Sequence, residues 1–113
     1  MEVEIIDKPS ALKAFLDGIS DTPDQPYLYV DLEGNNLCRH GILSIVTIMI
    51  ESTRTVQLLD VTTLGKDAFC TPSASNNTLK QILESDNVTK VFFDVRMDSD
   101  ALYNLFGIVV GGI

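Results

Sequence analysis

Two short acidic segments could do chemistry. The first is Asp31-Leu32-Glu33-Gly34, closing the apolar run Tyr27 to Leu32. In an extended strand, residues two apart share a face, so Asp31 and Glu33 point the same way. Two carboxylates so placed repel each other unless a positive charge lies between them, and a divalent cation is a common solution. The plain alternative is a strand running into a turn, with both acids solvated. The second segment is Asp94-Val95-Arg96-Met97-Asp98-Ser99-Asp100, after the apolar Val91-Phe92-Phe93. Here a strand delivers acids to the start of a helix. Asp98 reads equally well as an N-cap resting on the positive helix end, and Asp94 with Arg96 as a surface ion pair. Spacing alone favours the structural reading of both.

Other side chains invite weaker functional readings. Arg39 and His40 could contact a phosphate after the first acidic pair, but they also suit a solvated turn between strands. Phe92, Phe93, Tyr103 and Phe106 could stack bases, yet their spacing in a strand and a helix assigns them to the core. Cys38 and Cys70 show neither CxxC spacing nor a histidine cluster, so two free thiols are expected and zinc is not.

The elements that must position these residues can be read from periodicity. A strand is expected at Val3 to Ile6. A helix follows over about Pro9 to Ile19, with Leu12, Phe15, Leu16 and Ile19 on one face. Asp21 to Pro26 is a turn-rich linker that must stop that helix. Strands are expected at Tyr27 to Leu32, Ile42 to Ile50 and Thr55 to Val61, joined closely enough to be antiparallel neighbours. Residues 62–77 read as loop. Thr78 to Glu84 reads as a short helix, Val91 to Val95 as a strand, and Asp98 to Phe106 as a helix ended by Gly107. A further strand is expected to begin at Ile108. The order βαβββαβα makes an α/β chain with a mixed sheet covered by helices.

Length and composition set bounds. The 113 residues suit one domain, with 45% apolar and 21% charged residues in the ordinary globular range. No apolar run reaches the roughly 20 residues that a membrane span needs. The acidic start (Glu2, Glu4, Asp7) is unlike a signal peptide. An intracellular protein, cytoplasmic or nuclear, is therefore expected. The net charge of −8 opposes nucleic-acid binding through a basic surface. That objection weakens where acids hold cations, which reverse the local field.

Taken together, the two acidic segments and their neighbours are more specific than either alone. Asp31-Leu32-Glu33-Gly34, Leu37-Cys38-Arg39-His40-Gly41, Leu59-Asp60-Val61 and Lys90-Val91-Phe92-Phe93-Asp94-Val95-Arg96 resemble a DEDD-type 3′–5′ exonuclease domain of the RNase D-like group, in a eukaryotic, fungal-like subgroup. The resemblance runs from about Val3 to the end of the chain. It implies an RNase H-like fold with four acidic ligands for Mg²⁺ or Mn²⁺, acting on the 3′ end of RNA or DNA. Asp31 and Glu33 match the first motif and Asp98 the second, with Asp100 as the alternative. Two cations about 4 Å apart would clamp the scissile phosphate. The third motif, a Tyr or His shortly before a last Asp, has no counterpart after Gly107.

The expectation is thus an N-terminal portion of an exonuclease domain over residues 1–113, inactive by itself and prone to self-association. Alternatives are a noncatalytic nucleic-acid or protein adaptor, or the product of an incomplete gene model.

Overall fold

The computed structural model describes residues 2–20, 27–37, 41–51 and 53–113. Its elements are β1 (Val3–Ile6), α1 (Pro9–Ser20), β2 (Leu28–Asn35), β3 (Ile42–Ile50), β4 (Thr55–Asp60), α2 (Val61–Leu64), α3 (Asp67–Cys70), α4 (Leu79–Glu84), β5 (Lys90–Phe92) and α5 (Val95–Phe106). The strands form one mixed sheet in the order β1-β4-β3-β2-β5. β2, β3 and β4 are antiparallel neighbours, while β1 joins β4 and β5 joins β2 in parallel.

Alternation along the strands decides which face is covered. Leu28, Val30 and Leu32 of β2 are buried, as are Val46, Ile48 and Ile50 beside them on β3. They form one core with Leu12 and Leu16 of α1, Phe69 of α3, Leu79 and Leu83 of α4, and Leu102 of α5. All the long helices therefore lie on one face of the sheet. The opposite face carries Ile5, Met49, Val56 and Val91 at least partly open, and the described residues place no helix over it.

Several boundaries differ from the sequence expectation. Two single-turn helices, α2 and α3, occupy part of what reads as loop. Asp60 nucleates the first: its carboxylate accepts from the Thr63 amide at 3.0 Å and from the Thr63 hydroxyl at 2.8 Å. Helix α4 starts with a capping box between Thr78 and Gln81. Strand β5 stops at Phe92 instead of Val95, because Asp94 caps α5 by accepting from the Met97 amide at 3.3 Å. That carboxylate thus serves the helix start, and Asp98 is not the N-cap.

Lys90, expected to border a strand, is buried within it and donates from Nζ to the carbonyls of Ile82 and Ser85 at the end of α4. Burial lowers its pKa to about 8, opposed by the charge of Asp86.

The apolar segment after α5, where a further strand is expected, is held against α4 and β5. Gly107 closes the helix in the left-handed region, and Ile108 is fully buried. The backbone then docks through Gly111 N to the Leu83 carbonyl at 2.9 Å and through Lys90 N to the Gly112 carbonyl at 2.8 Å. Gly112 has φ +65°, and a Cβ there would sit 2.3 Å from the Val88 carbonyl oxygen. This segment forms no assigned strand. Cys70 is an exposed free thiol, while Cys38 and the 21–26 linker lie outside the described residues.

Candidate functional site

Asp31 and Glu33 project from β2 on the open face, opposite Val30 and Leu32. Across the sheet Asp31 pairs with Thr47 and Glu33 with Ile45, and a register shift follows between Glu33 and Gly34. The strands approach so closely there that a Cβ on Gly34 would lie 1.9 Å from the Ile42 carbonyl oxygen. Bulges of this kind re-aim the side chains beside them. The glycine after the acidic pair is therefore a steric requirement of the bend.

Asp98 lies one turn into α5, not at its cap, and is only 3% exposed. Its Oδ2 has no hydrogen-bond partner. Burial raises its pKa to about 6; the negative charges of Asp31 and Asp94 push the same way, and a backbone hydrogen bond from Leu32 opposes them. A buried carboxylate oxygen without a donor, facing two other acids, is an arrangement that a hard cation relieves. The donor set, all carboxylate oxygen, suits Mg²⁺ or Mn²⁺.

The structure brings Asp98 within electrostatic reach of Asp31 and Asp94, but Glu33 is not among the groups that shift it. Among the described residues, no three His, Cys, Asp or Glu side chains are gathered closely enough to hold a metal ion as they stand. Asp100 is exposed on α5, with its backbone carbonyl accepting from Asn104. Arg39 and His40 lie outside the described residues.

The core assignment of the aromatic side chains needs correcting. Phe106 does pack inward, 4.5 Å from Phe69 between ring centres. Tyr103, however, is 61% exposed and Phe93 is 96% exposed. Phe93 sits where the chain leaves β5 for α5, so neither strand pairing nor helix packing covers its ring. With Tyr29, Asp31, Met49 and Val91 it lines a cleft of about 190 Å³. Asp94 also joins the acidic group, which its reading as a surface ion pair does not capture; its four-residue spacing from Asp98 is the signal, once the helix start is placed.

A family model described as 3′–5′ exonuclease matches residues 3–113. The chain is 38% identical over 89 residues to the piRNA biogenesis protein EXD1 of Mus musculus, covering 79% of this chain and 14% of that protein. With EXD1 of Homo sapiens the identity is 35%, over 79% of this chain and 16% of the relative. The chain thus spans between a seventh and a sixth of the length of these curated relatives.

Among solved structures, Trypanosoma brucei RNase D in complex with RNA U12 superposes with a TM-score of 0.80 at 23% identity, over 98% of this chain and 36% of that one. The EXD2 exonuclease domain superposes at 0.75 with 22% identity, over 99% of this chain and 55% of that one. The same domain has been solved soaked in Mn and GMP. The fold is therefore the RNase H-like exonuclease fold, as the resemblance implies.

Proposed function

Because the chain belongs to the 3′–5′ exonuclease family, we propose that it is a portion of a metal-dependent exonuclease domain that engages the 3′ end of a nucleic acid. Asp31, Glu33 and Asp98 are assigned as its metal ligands, with Asp100 as the alternative at the second position. The observation that carries this reading is Asp98, whose buried Oδ2 has no partner and lies beside Asp31. Mg²⁺ or Mn²⁺ held there would supply charge to the scissile phosphate and acidity to a bound water. Asp31 and Glu33 are exposed and can rotate toward such an ion, whereas Asp98 is fixed by burial. The ion also answers the objection from net charge, since it makes an acidic surface locally attractive to phosphate. The exposed ring of Phe93 beside Asp31 is placed to stack a base at the strand end, and Arg39 and His40 are assigned to the phosphates.

The last acid in the sequence is Asp100, so residues 1–113 supply three of the four carboxylates of a DEDD site. The isolated chain is expected to trim 3′ ends negligibly while still binding Mn²⁺ weakly. The assay is trimming of 3′-labelled single-stranded RNA and DNA with Mg²⁺ or Mn²⁺, together with calorimetry of Mn²⁺ binding to wild type, Asp31→Ala and Glu33→Ala. Stepwise trimming that vanishes in Asp31→Ala would refute the incomplete site. Equal heats from all three proteins would remove the metal site itself.

A noncatalytic adaptor is the second reading, favoured by the dispersed acids. An intracellular setting, nuclear or cytoplasmic, fits either one, and no helix among the described residues is long and apolar enough to cross a membrane. Self-association of the isolated chain belongs to the same proposal.

A further inference from the structure

Gln57 is a polar side chain at a core position. Along β4, Gln57 and Leu59 are buried on the helix-covered face while Val56 and Leu58 point the other way. Gln57 is only 5% exposed, yet its Oε1 has no hydrogen-bond partner and lies beyond the reach of bulk water. The other end of the amide is committed. Its Nε2 donates to Thr55 Oγ1 at 3.0 Å, and the Thr55 and Thr53 hydroxyls lie 2.8 Å apart. Thr53 donates its own proton to the Ile50 carbonyl, so Thr55 must donate to Thr53 and can only accept from Gln57. This relay fixes the amide with its nitrogen bound and its oxygen orphaned. A buried acceptor in that state calls for a donor.

Gln57 borders a cleft of about 380 Å³ between α1 and the start of β4. The cleft lies on the face of the sheet opposite to Asp31 and Glu33, and β4 is two strands away from theirs. Its α1 wall is Ala11, Ala14 and Gly18, small residues on one side of the helix. A Cβ added to Gly18 would meet nothing within 4 Å, so the helix leaves room there. Phe15 and Ile50 complete the apolar lining. The polar lining is rich in acceptors. Glu4 is exposed and stands beside Gln57 in the parallel register of β1 and β4, on the same face. Neighbouring strands are about 4.8 Å apart, so one donor group can reach both side chains. Among the described residues, no Lys, Arg or His lines the cleft.

We propose that this cleft is a binding site for a small organic cation, an ammonium group carried on a flat apolar body. The ammonium donates to Gln57 Oε1 and to the Glu4 carboxylate, and the apolar body lies along Ala11, Ala14 and Gly18. The terminal torsion of a glutamine is soft, so a small turn of the amide presents Oε1 to the ligand. Small side chains on one wall and a strand on the other shape a slot, which suits a ring. The volume and the apolar walls with a few convergent polar groups are those of small-molecule sites. An anion would meet Glu4 with no cation to offset it, and a purely apolar molecule would leave Oε1 without a donor. Water is the competing occupant, and a cleft filled by water alone would not discriminate between probes by charge.

The proposal is tested by titrating the full chain with three probes that share one ring and differ in charge: phenethylammonium, phenethyl alcohol and phenylpropanoate. Binding is followed by NMR of alanine and isoleucine methyls and of glutamine side-chain amides. The ammonium should bind with a Kd of about 1 mM, within the range open to so small a ligand. It should bind at least tenfold more tightly than the carboxylate, with the alcohol between them. Shifts should fall on Ala11, Ala14, Ile50 and the Gln57 amide, and spare Ala101 and Ile108. Gly18→Leu projects into the cleft and should abolish binding of ammonium and alcohol alike. Glu4→Gln should weaken the ammonium about threefold at low salt, as loss of an exposed ion pair would, and leave the alcohol unchanged. Gln57→Leu removes the orphaned acceptor and should weaken the ammonium about tenfold.

Equal affinity for ammonium and carboxylate would overturn the proposal. So would the absence of shifts at these residues with every probe, which would leave water as the occupant. Ammonium binding that survives Gly18→Leu would put the ligand elsewhere and overturn it as well.

Discussion

Replacing Asp98 with Asn should stabilise the chain in the absence of metal, and only above acidic pH. Folding raises the pKa of Asp98 from an ordinary 3.8 to about 6. The folded state then binds more protons than the unfolded chain between those two values, so stability falls as pH rises through that window. The contribution is complete below about pH 4 and lost above about pH 6. A rise of that size corresponds to about 3 kcal/mol at neutral pH. Asn carries no charge, fills nearly the same volume and can still accept from the Leu32 amide, so Asp98→Asn should recover most of that amount.

For a domain of this length, with roughly 4 °C gained per kcal/mol, Tm should rise by about 10 °C at pH 7.5 and hardly change at pH 4. Thermal melts followed by circular dichroism, in chelator-treated buffer at both pH values, measure it. An Asn variant no more stable than wild type at pH 7.5, or one whose gain is the same at pH 4, would refute the reasoning. Added Mn²⁺ should then raise the Tm of wild type and leave Asp98→Asn unmoved, because the stabilising ion has lost its buried ligand.

Two further substitutions probe the frame around the site. Lys90→Met removes the donors to the Ile82 and Ser85 carbonyls and should cost about 2 kcal/mol by urea unfolding at pH 7. The gain in stability that wild type shows as pH rises from about 8 toward 10.5, where its lowered Lys90 pKa is relieved, should be missing in the variant. Gly112→Ala forces a Cβ to within 2.3 Å of the Val88 carbonyl oxygen at φ +65° and should cost more than about 2 kcal/mol. Gly18→Ala, where a Cβ meets nothing within 4 Å in α1, should instead add up to about 1 kcal/mol. Equal effects at the two glycines, read from urea midpoints, would contradict this.

The strands β1 and β3 are legible in the sequence because their apolar runs are bounded by polar turns, and α1 because Leu12, Phe15, Leu16 and Ile19 repeat at helical spacing. Strand alternation by itself puts Asp31 and Glu33 on one face of β2. Boundaries set by side-chain caps are less legible: Asp60 and Asp94 each convert what looks like a strand end into a helix start, and one hydrogen bond decides the matter. Starting α5 three residues earlier moves Asp98 from the cap into the interior, and that shift separates a solvated acid from a buried, unpartnered one.

The local sequence determined the strands, the long helices and the candidate acids, since period and turn chemistry act over a few residues. Which acids meet, that Lys90 is a buried cap, that Phe93 faces outward and that no helix of the described residues covers one face of the sheet were decided only by the tertiary structure. These depend on which strand lies beside which and on which side the crossovers pass, and such long-range contacts leave no mark on the spacing of neighbouring residues.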